Sequence, residues 1–136
     1  MKSFSLIIFT FLLMTACQQK YIPRKTIAIK LQEFKIDSTS IRAIVAMDSN
    51  SVYYAGSNGD FGYTLDAGKT WSTQFFKFQD SIKPHFRCLA SNGKDFFALS
   101  ISNPGLLYKI TKNDQKLVYV EQHERVFYDA MQFFED

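Results

Sequence analysis

One stretch of the chain combines a carboxylate, two hydroxyls, a glycine and a tryptophan in a fixed order: Thr64, Asp66, Gly68, Thr70 and Trp71. A carboxylate beside hydroxyl groups can act as a general acid or as a cation ligand. It can also open a tight turn, because Asp accepts hydrogen bonds from the backbone N–H groups that follow it. Gly68 supplies the positive φ that such a turn needs, and Trp71 is large enough to cover it. We therefore expect a structural role for this motif and no catalytic or metal-binding role for Asp66.

The other residue types that could support chemistry are isolated from one another. His85 and His123 are the only histidines, and neither lies at ligand spacing from a cysteine or carboxylate, so we expect no metal site and no cofactor. Cys88 lies in an apolar run and is expected to be a small buried side chain. The net charge is +3, and the lysines are scattered along the chain, which argues against nucleic-acid binding.

An internal repeat defines the elements that must position these residues. Ile41–Ala46 is similar to Phe86–Ser91, about 45 residues further on. Three further pairs match at this spacing: Val52 with Phe97, Gly56 with Ile101, and Tyr63 with Tyr108. Each copy reads as short strands separated by turns of polar residues, and a third copy begins at Phe127–Phe133.

A period of about 45 residues with four short strands per copy is typical of β-propeller blades. The predicted fold class is all-β, a propeller fragment of about two four-stranded blades, over 40–79 and 84–122, plus a third starting near residue 126. Propellers close with about four to eight blades, so we expect 26–136 to belong to a longer product of about 300–350 residues. A short protein that oligomerises is the alternative. Alternation over Thr26–Ile36 predicts one more strand, which could close the ring.

The first residues indicate export and attachment to a membrane. The apolar run Phe4–Met14 is too short to span a bilayer and is typical of a signal peptide. It leads into Leu13–Cys17, which resembles the lipobox of bacterial lipoproteins. The resemblance implies a signal peptide over 1–16, a lipidated Cys17 with a tether over 17–25, and a location at the outer membrane facing the periplasm. An ordinary cleaved signal with an incidental cysteine is the alternative.

The turn motif and the repeat together resemble a known group of propellers. Thr64–Trp71 matches the Asp-box, or bacterial neuraminidase repeat, S/T-x-D-x-G-x-T-W, at every specified position. From about Ser40 onward the chain resembles the photosystem II assembly and stability factor family, in its version from non-photosynthetic bacteria. The stretches that carry this resemblance are Ser40–Ile44, Val52–Gly59, Phe86–Arg87, Leu99–Asn103 and Phe127–Ala130. It implies a seven-bladed, non-enzymatic scaffold that binds a protein or peptide partner during assembly.

Arg42 and Arg87 are the candidate binding residues. By the same resemblance they match repeat-equivalent arginines that form a basic patch against the partner. In a ring, residues one repeat apart occupy equivalent places on neighbouring blades, and guanidinium groups suit recognition of carboxylates or peptides. The alternative is that each arginine bonds to nearby backbone carbonyls and holds its own blade together.

The alternative function is part of a sialidase, a related glycoside hydrolase, or one of the similar propellers labelled oxidoreductases. Glycoside hydrolysis needs an acid–nucleophile arrangement, and a sialidase also needs arginines around the substrate carboxylate. Tyr21–Arg24 contains the residues of the sialidase Arg-Ile-Pro motif in the wrong order, ahead of the fold. Glu121 and Glu124 lie in a polar connector and are expected to be solvated. The sequence therefore favours a binding role over catalysis.

Overall fold

The structure is a computed structural model that describes residues 21–37 and 39–134. The chain divides into two units, Met1–Glu33 and Phe34–Asp136. The predicted signal peptide over 1–16 and the predicted lipidation of Cys17 lie outside the described residues.

The strand predicted over Thr26–Ile36 is wrong. These residues form no regular element. The apolar side chains of the alternating pattern are exposed: Ile27 to 80%, Ile29 to 84% and Leu31 to 78%. Alternation of apolar and polar residues favours a strand only where a neighbouring strand supplies hydrogen bonds and one face is buried. Neither condition is met here.

The second unit is all-β, as predicted. Its described strands are β1 (Ile41–Ala46), β2 (Val52–Gly56), β3 (Asp60–Thr64), β4 (Ser72–Phe75), β5 (Phe86–Ser91), β6 (Phe96–Ser100), β7 (Gly105–Ile110) and β8 (Gln115–Glu121). They form two four-stranded antiparallel sheets, β1–β4 and β5–β8, in each of which the strands follow chain order. The prediction of two four-stranded units is confirmed.

The first hairpin turn of each sheet is held by the side chain of a turn residue. Asp48 Oδ1 accepts the backbone N–H groups of Asn50 and Ser51, each at 2.7 Å. In the second sheet, Asn92 Oδ1 accepts those of Lys94 and Asp95 at 3.1 and 2.8 Å. Asn and Asp favour turns for this reason, because their short side chains bond to the backbone two or three residues ahead.

The two turns differ in length, which corrects the predicted matching of the repeats. Strand pairing closes around residues 47–51 in the first sheet and 92–95 in the second. The ladders therefore align Val52 with Phe96 and Gly56 with Ser100, each one residue earlier than predicted. The next connection is longer in the second sheet, 100–106 against 56–60, so Tyr63 aligns with Lys109, one residue later than predicted. Each change in the length of a turn shifts the residues that follow it, which a constant sequence offset cannot detect.

The two sheets pack through an aromatic core, defined here as Phe61, Phe76, Phe86 and Tyr108. Phe76 follows β4 directly and is 1% exposed. Its ring meets three others edge to face: Phe61 of β3 at 6.3 Å, Phe86 of β5 at 5.4 Å and Tyr108 of β7 at 4.9 Å between centroids. Tyr108 also donates its O–H to the carbonyl of Lys77 at 3.2 Å. The connection between the sheets is thus fixed at the point where they pack.

The outward faces of the two sheets are covered by aromatic side chains from other segments. On the first sheet, Trp71 lies between Tyr54 and Phe34, at centroid distances of 5.6 and 5.9 Å. On the second sheet, Phe133 packs on Phe97 at 4.9 Å. Chain segments before β1 and after β8 therefore cover apolar surface that a free sheet would expose to water.

We predict that Phe76→Ala lowers the free energy of unfolding by about 3–5 kcal/mol, because it removes a buried ring from the contact between the sheets. The neighbouring Phe75 is 64% exposed and provides a matched control. We expect Phe75→Ala to cost less than about 1 kcal/mol. Urea unfolding of both variants measures the difference, and similar losses for the two would contradict this packing.

Candidate functional site

Arg42 and Arg87 occupy the same structural position in the two sheets. Each is the second residue of the first strand of its sheet, at a point where the pairing with the next strand shifts register. The shift lies between Ile41 and Ala43 in the first sheet and between Phe86 and Cys88 in the second. A β-bulge leaves its extra residue out of the ladder and redirects the side chain. The fold therefore presents one guanidinium at the same end of each sheet.

The two arginines differ in their partners. Arg42 is exposed, and its side chain makes no hydrogen bond or ion pair with the described residues. Arg87 donates its Nε–H to Asp129 Oδ1 at 2.7 Å, and the two side chains are 37% and 58% exposed. Its partner is thus a carboxylate rather than the backbone carbonyl considered in the sequence. An ion pair this exposed contributes about 0–1 kcal/mol, so another carboxylate can compete for Arg87.

Asp129 belongs to a segment that follows β8 and lies along the second sheet. Tyr128 donates its backbone N–H to the carbonyl of Ile101 at 2.8 Å, and Phe127 forms an isolated antiparallel bridge with Ser102. Val126 is buried at the start of the segment. These contacts hold Asp129 beside Arg87.

Glu121 helps to hold the same segment. Its Oε2 accepts the phenol O–H of Tyr119 at 2.8 Å and also that of Tyr128. The bonds from Tyr128 and Tyr119 lower the pKa of Glu121, and the bond to Glu121 raises the pKa of Tyr128. The expectation that Glu121 is simply solvated is therefore wrong, because two phenols converge on it. Glu124 is exposed.

The Thr64–Trp71 turn is closed by its own side chains. Asp66 Oδ1 accepts the Thr64 hydroxyl at 2.8 Å and the Thr70 backbone N–H at 2.9 Å. Its Oδ2 accepts the Thr70 hydroxyl at 2.6 Å. The hydroxyl of Thr64 in turn accepts the backbone N–H of Gly68, a residue with φ of 82°, at 2.9 Å. Both carboxylate oxygens are thus engaged within the turn.

The electrostatics of this turn suit structure rather than proton transfer. Hydrogen bonds from the Thr70 hydroxyl and backbone N–H lower the pKa of Asp66 from 3.8 to about 2. A carboxyl group with this pKa is ionised at neutral pH and cannot act as a general acid there. Trp71 packs on Phe34 and Tyr54, and its Nε1 is buried without a hydrogen-bond partner among the described residues.

Cys88 lies in β5 and is a free, buried thiol. Burial raises its pKa, and the nearby carboxylate of Asp129 raises it further, whereas Arg87 lowers it. A thiol with a raised pKa is a poor nucleophile because little thiolate is present. Cys88 therefore packs as a small apolar side chain.

Metal-ligating side chains do not cluster in the part of the chain that the structure describes. Across residues 21–37 and 39–134, no group of three or more His, Cys, Asp and Glu side chains could hold a metal ion. The same ranges contain no helix with the length and apolarity needed to cross a membrane.

Comparison with known proteins gave no match. No family model matches the chain, and searches of curated proteins and of solved structures found nothing similar to it. Function therefore has to be inferred from the geometry and chemistry of the chain itself.

We predict that the pKa of Asp66 makes the contribution of the turn to stability depend on pH. Because this pKa is lower in the folded chain than the usual value of 3.8, the ionised form stabilises the fold above about pH 4. That stabilisation is lost as the pH falls towards about 2. Asp66→Asn should therefore be less stable than the wild type at pH 7, with the difference shrinking in acid.

Urea midpoints measured between pH 7 and pH 2 test this prediction. Asp80→Asn is the matched control, since Asp80 is an exposed carboxylate without a hydrogen bond to the described residues. A difference between wild type and Asp66→Asn that stays constant over this pH range would contradict the role given to the ionised carboxylate.

Proposed function

We propose that this chain forms blades of an Asp-box β-propeller in an exported, lipid-anchored protein at the outer membrane, facing the periplasm. In this proposal it is a non-enzymatic scaffold. It binds an acidic segment of a protein or peptide partner at the end of the sheets that carries Arg42 and Arg87.

The recurrence of the same contacts in successive units supports a propeller. The first strands of the two sheets, β1 and β5, lie next to each other. In each sheet the residue after the second strand donates its backbone N–H to the residue before the first strand: Ser57 to Ser40 at 3.0 Å, and Ile101 to His85 at 2.9 Å. Radial repetition of one unit is the principle of a propeller.

The packing of the sheet faces repeats as well. Tyr53 of the first sheet packs on Phe96 of the second, with the rings tilted and their centroids 4.0 Å apart. The ladder equivalent of Tyr53 in the second sheet is Phe97, which faces Phe133 of the following segment. Each sheet thus offers an aromatic side chain to the next unit along the chain, which is the arrangement expected of consecutive blades.

The observation that carries the binding proposal is the repeated bulge at Arg42 and Arg87. Two separate sheets redirect the same residue type at the same position, and bulges are over-represented beside functional sites. Guanidinium groups form paired hydrogen bonds with carboxylates, which suits recognition of Asp or Glu side chains or a peptide terminus.

Asp129 sets how much positive charge this end presents. In the sequence of the third copy it stands where the first two copies have arginine, and it is bonded to Arg87. Of the two arginines, Arg42 is the one without a partner among the described residues. An acidic partner therefore binds Arg42 directly and competes with Asp129 for Arg87.

We predict opposite effects for two substitutions on binding of an acidic probe, an unlabelled decapeptide of alternating Glu and Ala. Arg42→Ala should weaken binding about fivefold, because it removes one charged contact. Asp129→Asn should strengthen binding about fivefold, because it releases Arg87. Isothermal titration calorimetry at low ionic strength measures both affinities. Lys69→Ala and Lys116→Ala, exposed cations at the opposite end of the sheets, are the controls.

Two outcomes would overturn the proposal. One is unchanged peptide affinity in the double variant Arg42→Ala, Arg87→Ala. The other is turnover of a sialoside by the purified protein, which would favour the glycoside hydrolase instead.

We further predict that Cys17→Ser abolishes incorporation of radiolabelled palmitate in bacterial cells and releases the protein from the membrane fraction, because a thioether-linked lipid cannot form. Cys88→Ser is the matched control, since it removes the other cysteine of the chain and should leave labelling unchanged. Equal labelling of Cys17→Ser and wild type would rule out this anchor.

A further inference from the structure

A groove of about 390 Å³ opens between the two sheets, at the end that carries the hairpin turns. This end is opposite to the one where Arg42 and Arg87 begin their strands. The groove is therefore a separate feature, and a ligand bound in it is independent of the proposed function.

One wall of the groove is aromatic. Tyr53 stacks on Tyr63 with centroids 5.8 Å apart and an angle of 27° between the rings, and it meets Phe96 at 4.0 Å. Phe61 and Ile110, both buried, and the exposed Leu65 complete the apolar lining. Stacked rings of this kind form a surface on which a flat apolar molecule can pack.

The rim of the groove is polar and carries cations. Lys94 and Lys112 line it together with three uncharged polar residues: Gln74, Thr111 and Asn113. Neither lysine forms an ion pair with the described residues. Four of the five rim side chains are exposed, and that of Thr111 is half-buried. Charged and hydrogen-bonding groups therefore surround the aromatic wall.

The acidic residues beside the groove are already bonded elsewhere. Asp95, which is 6% exposed, pairs with Lys109 Nζ at 2.8 Å. Asp114 Oδ1 accepts the backbone N–H of Gln115 at 2.8 Å. Neither of these acids lines the groove, and the charged side chains that do line it are Lys94 and Lys112, so the lining itself is positive.

The phenol groups of Tyr53 and Tyr63 add hydrogen-bond donors that, like the lysines, suit an anionic ligand. The hydroxyls of Tyr53 and Tyr63 have no hydrogen-bond partner in the described part of the chain. Burial raises the pKa of Tyr53, followed by the effects of Tyr63 and Asp48, so its phenol remains a donor at neutral pH.

We infer that this groove binds a small organic anion with a flat apolar body. The body packs against Tyr53, Tyr63 and Phe96, and a carboxylate or sulfonate group faces Lys94 and Lys112. Convergence of a few charged and hydrogen-bonding groups on an apolar concave surface is the usual construction of a small-molecule site.

An NMR titration of the full, ¹⁵N-labelled chain tests this inference with two probes of matched shape. Naphthalene-2-sulfonate carries the negative charge, and naphthalene-2-sulfonamide is its neutral counterpart. We expect amide shifts confined to residues 94–96 and 110–113 and their neighbours on β2 and β3. The sulfonate should bind about fivefold more tightly than the sulfonamide, the combined effect of two exposed lysines.

The double variant Lys94→Gln, Lys112→Gln should bind both probes with equal affinity, at the level of the sulfonamide in the wild type. Retained sulfonamide binding shows in the same spectra that the variant is folded. Lys77→Gln, Lys83→Gln removes two exposed cations outside the groove and should keep the fivefold preference. Equal affinities of the two probes for the wild type, an unchanged preference in the Lys94, Lys112 variant, or shifts centred elsewhere would each overturn the inference.

Discussion

The contact between the two sheets through the aromatic core is the interaction on which the rest of the structure depends. Phe76 follows the last strand of the first sheet, begins the connection to the second and is buried against rings from both. This packing fixes one sheet against the other. As a result, the two bulged arginines lie at the same end of their sheets, and the groove forms where Tyr53 meets Phe96 at the other end.

The distribution of bonded and unbonded charges gives the surface its chemical character. Several carboxylates are held by partners within the chain, among them Asp66, Asp95, Glu121 and Asp129. The cations at the two proposed sites, Arg42, Lys94 and Lys112, have no such partners among the described residues. Because these acids are bonded within the chain and these cations are not, both ends of the sheets favour anionic ligands. Salt screens such exposed charges, so binding at either end should weaken at high ionic strength.

The sequence predicts those parts of the fold that depend on local patterns. The repeat and the turn residues indicate eight strands in two units, since Asp48 and Asn92 close turns through bonds to residues that directly follow them. Features set by distant partners are not predictable in this way. The strand expected over Thr26–Ile36 lacks a partner, and the ladder positions depend on small differences in length between the connections of the two sheets. The pairing of Arg87 with Asp129 joins residues 42 positions apart. The one feature of the sequence that pointed to this pair is that the third copy has an acid, Asp129, where the first two copies have arginine.

The most direct test of the packing between the sheets is a double-mutant cycle on Phe76→Leu and Phe86→Leu, measured by urea unfolding. Edge-to-face contact between these rings predicts a coupling free energy of about 0.5–1.5 kcal/mol. A cycle between Phe76→Leu and Trp71→Leu serves as the reference, because Trp71 packs on the opposite face of the first sheet, and its effects should add. If the effects of Phe76→Leu and Phe86→Leu on the free energy of unfolding also add within about 0.3 kcal/mol, the two sheets do not meet through these rings. The placement of Arg42 and Arg87 at one end, and of the groove at the other, then loses its structural basis.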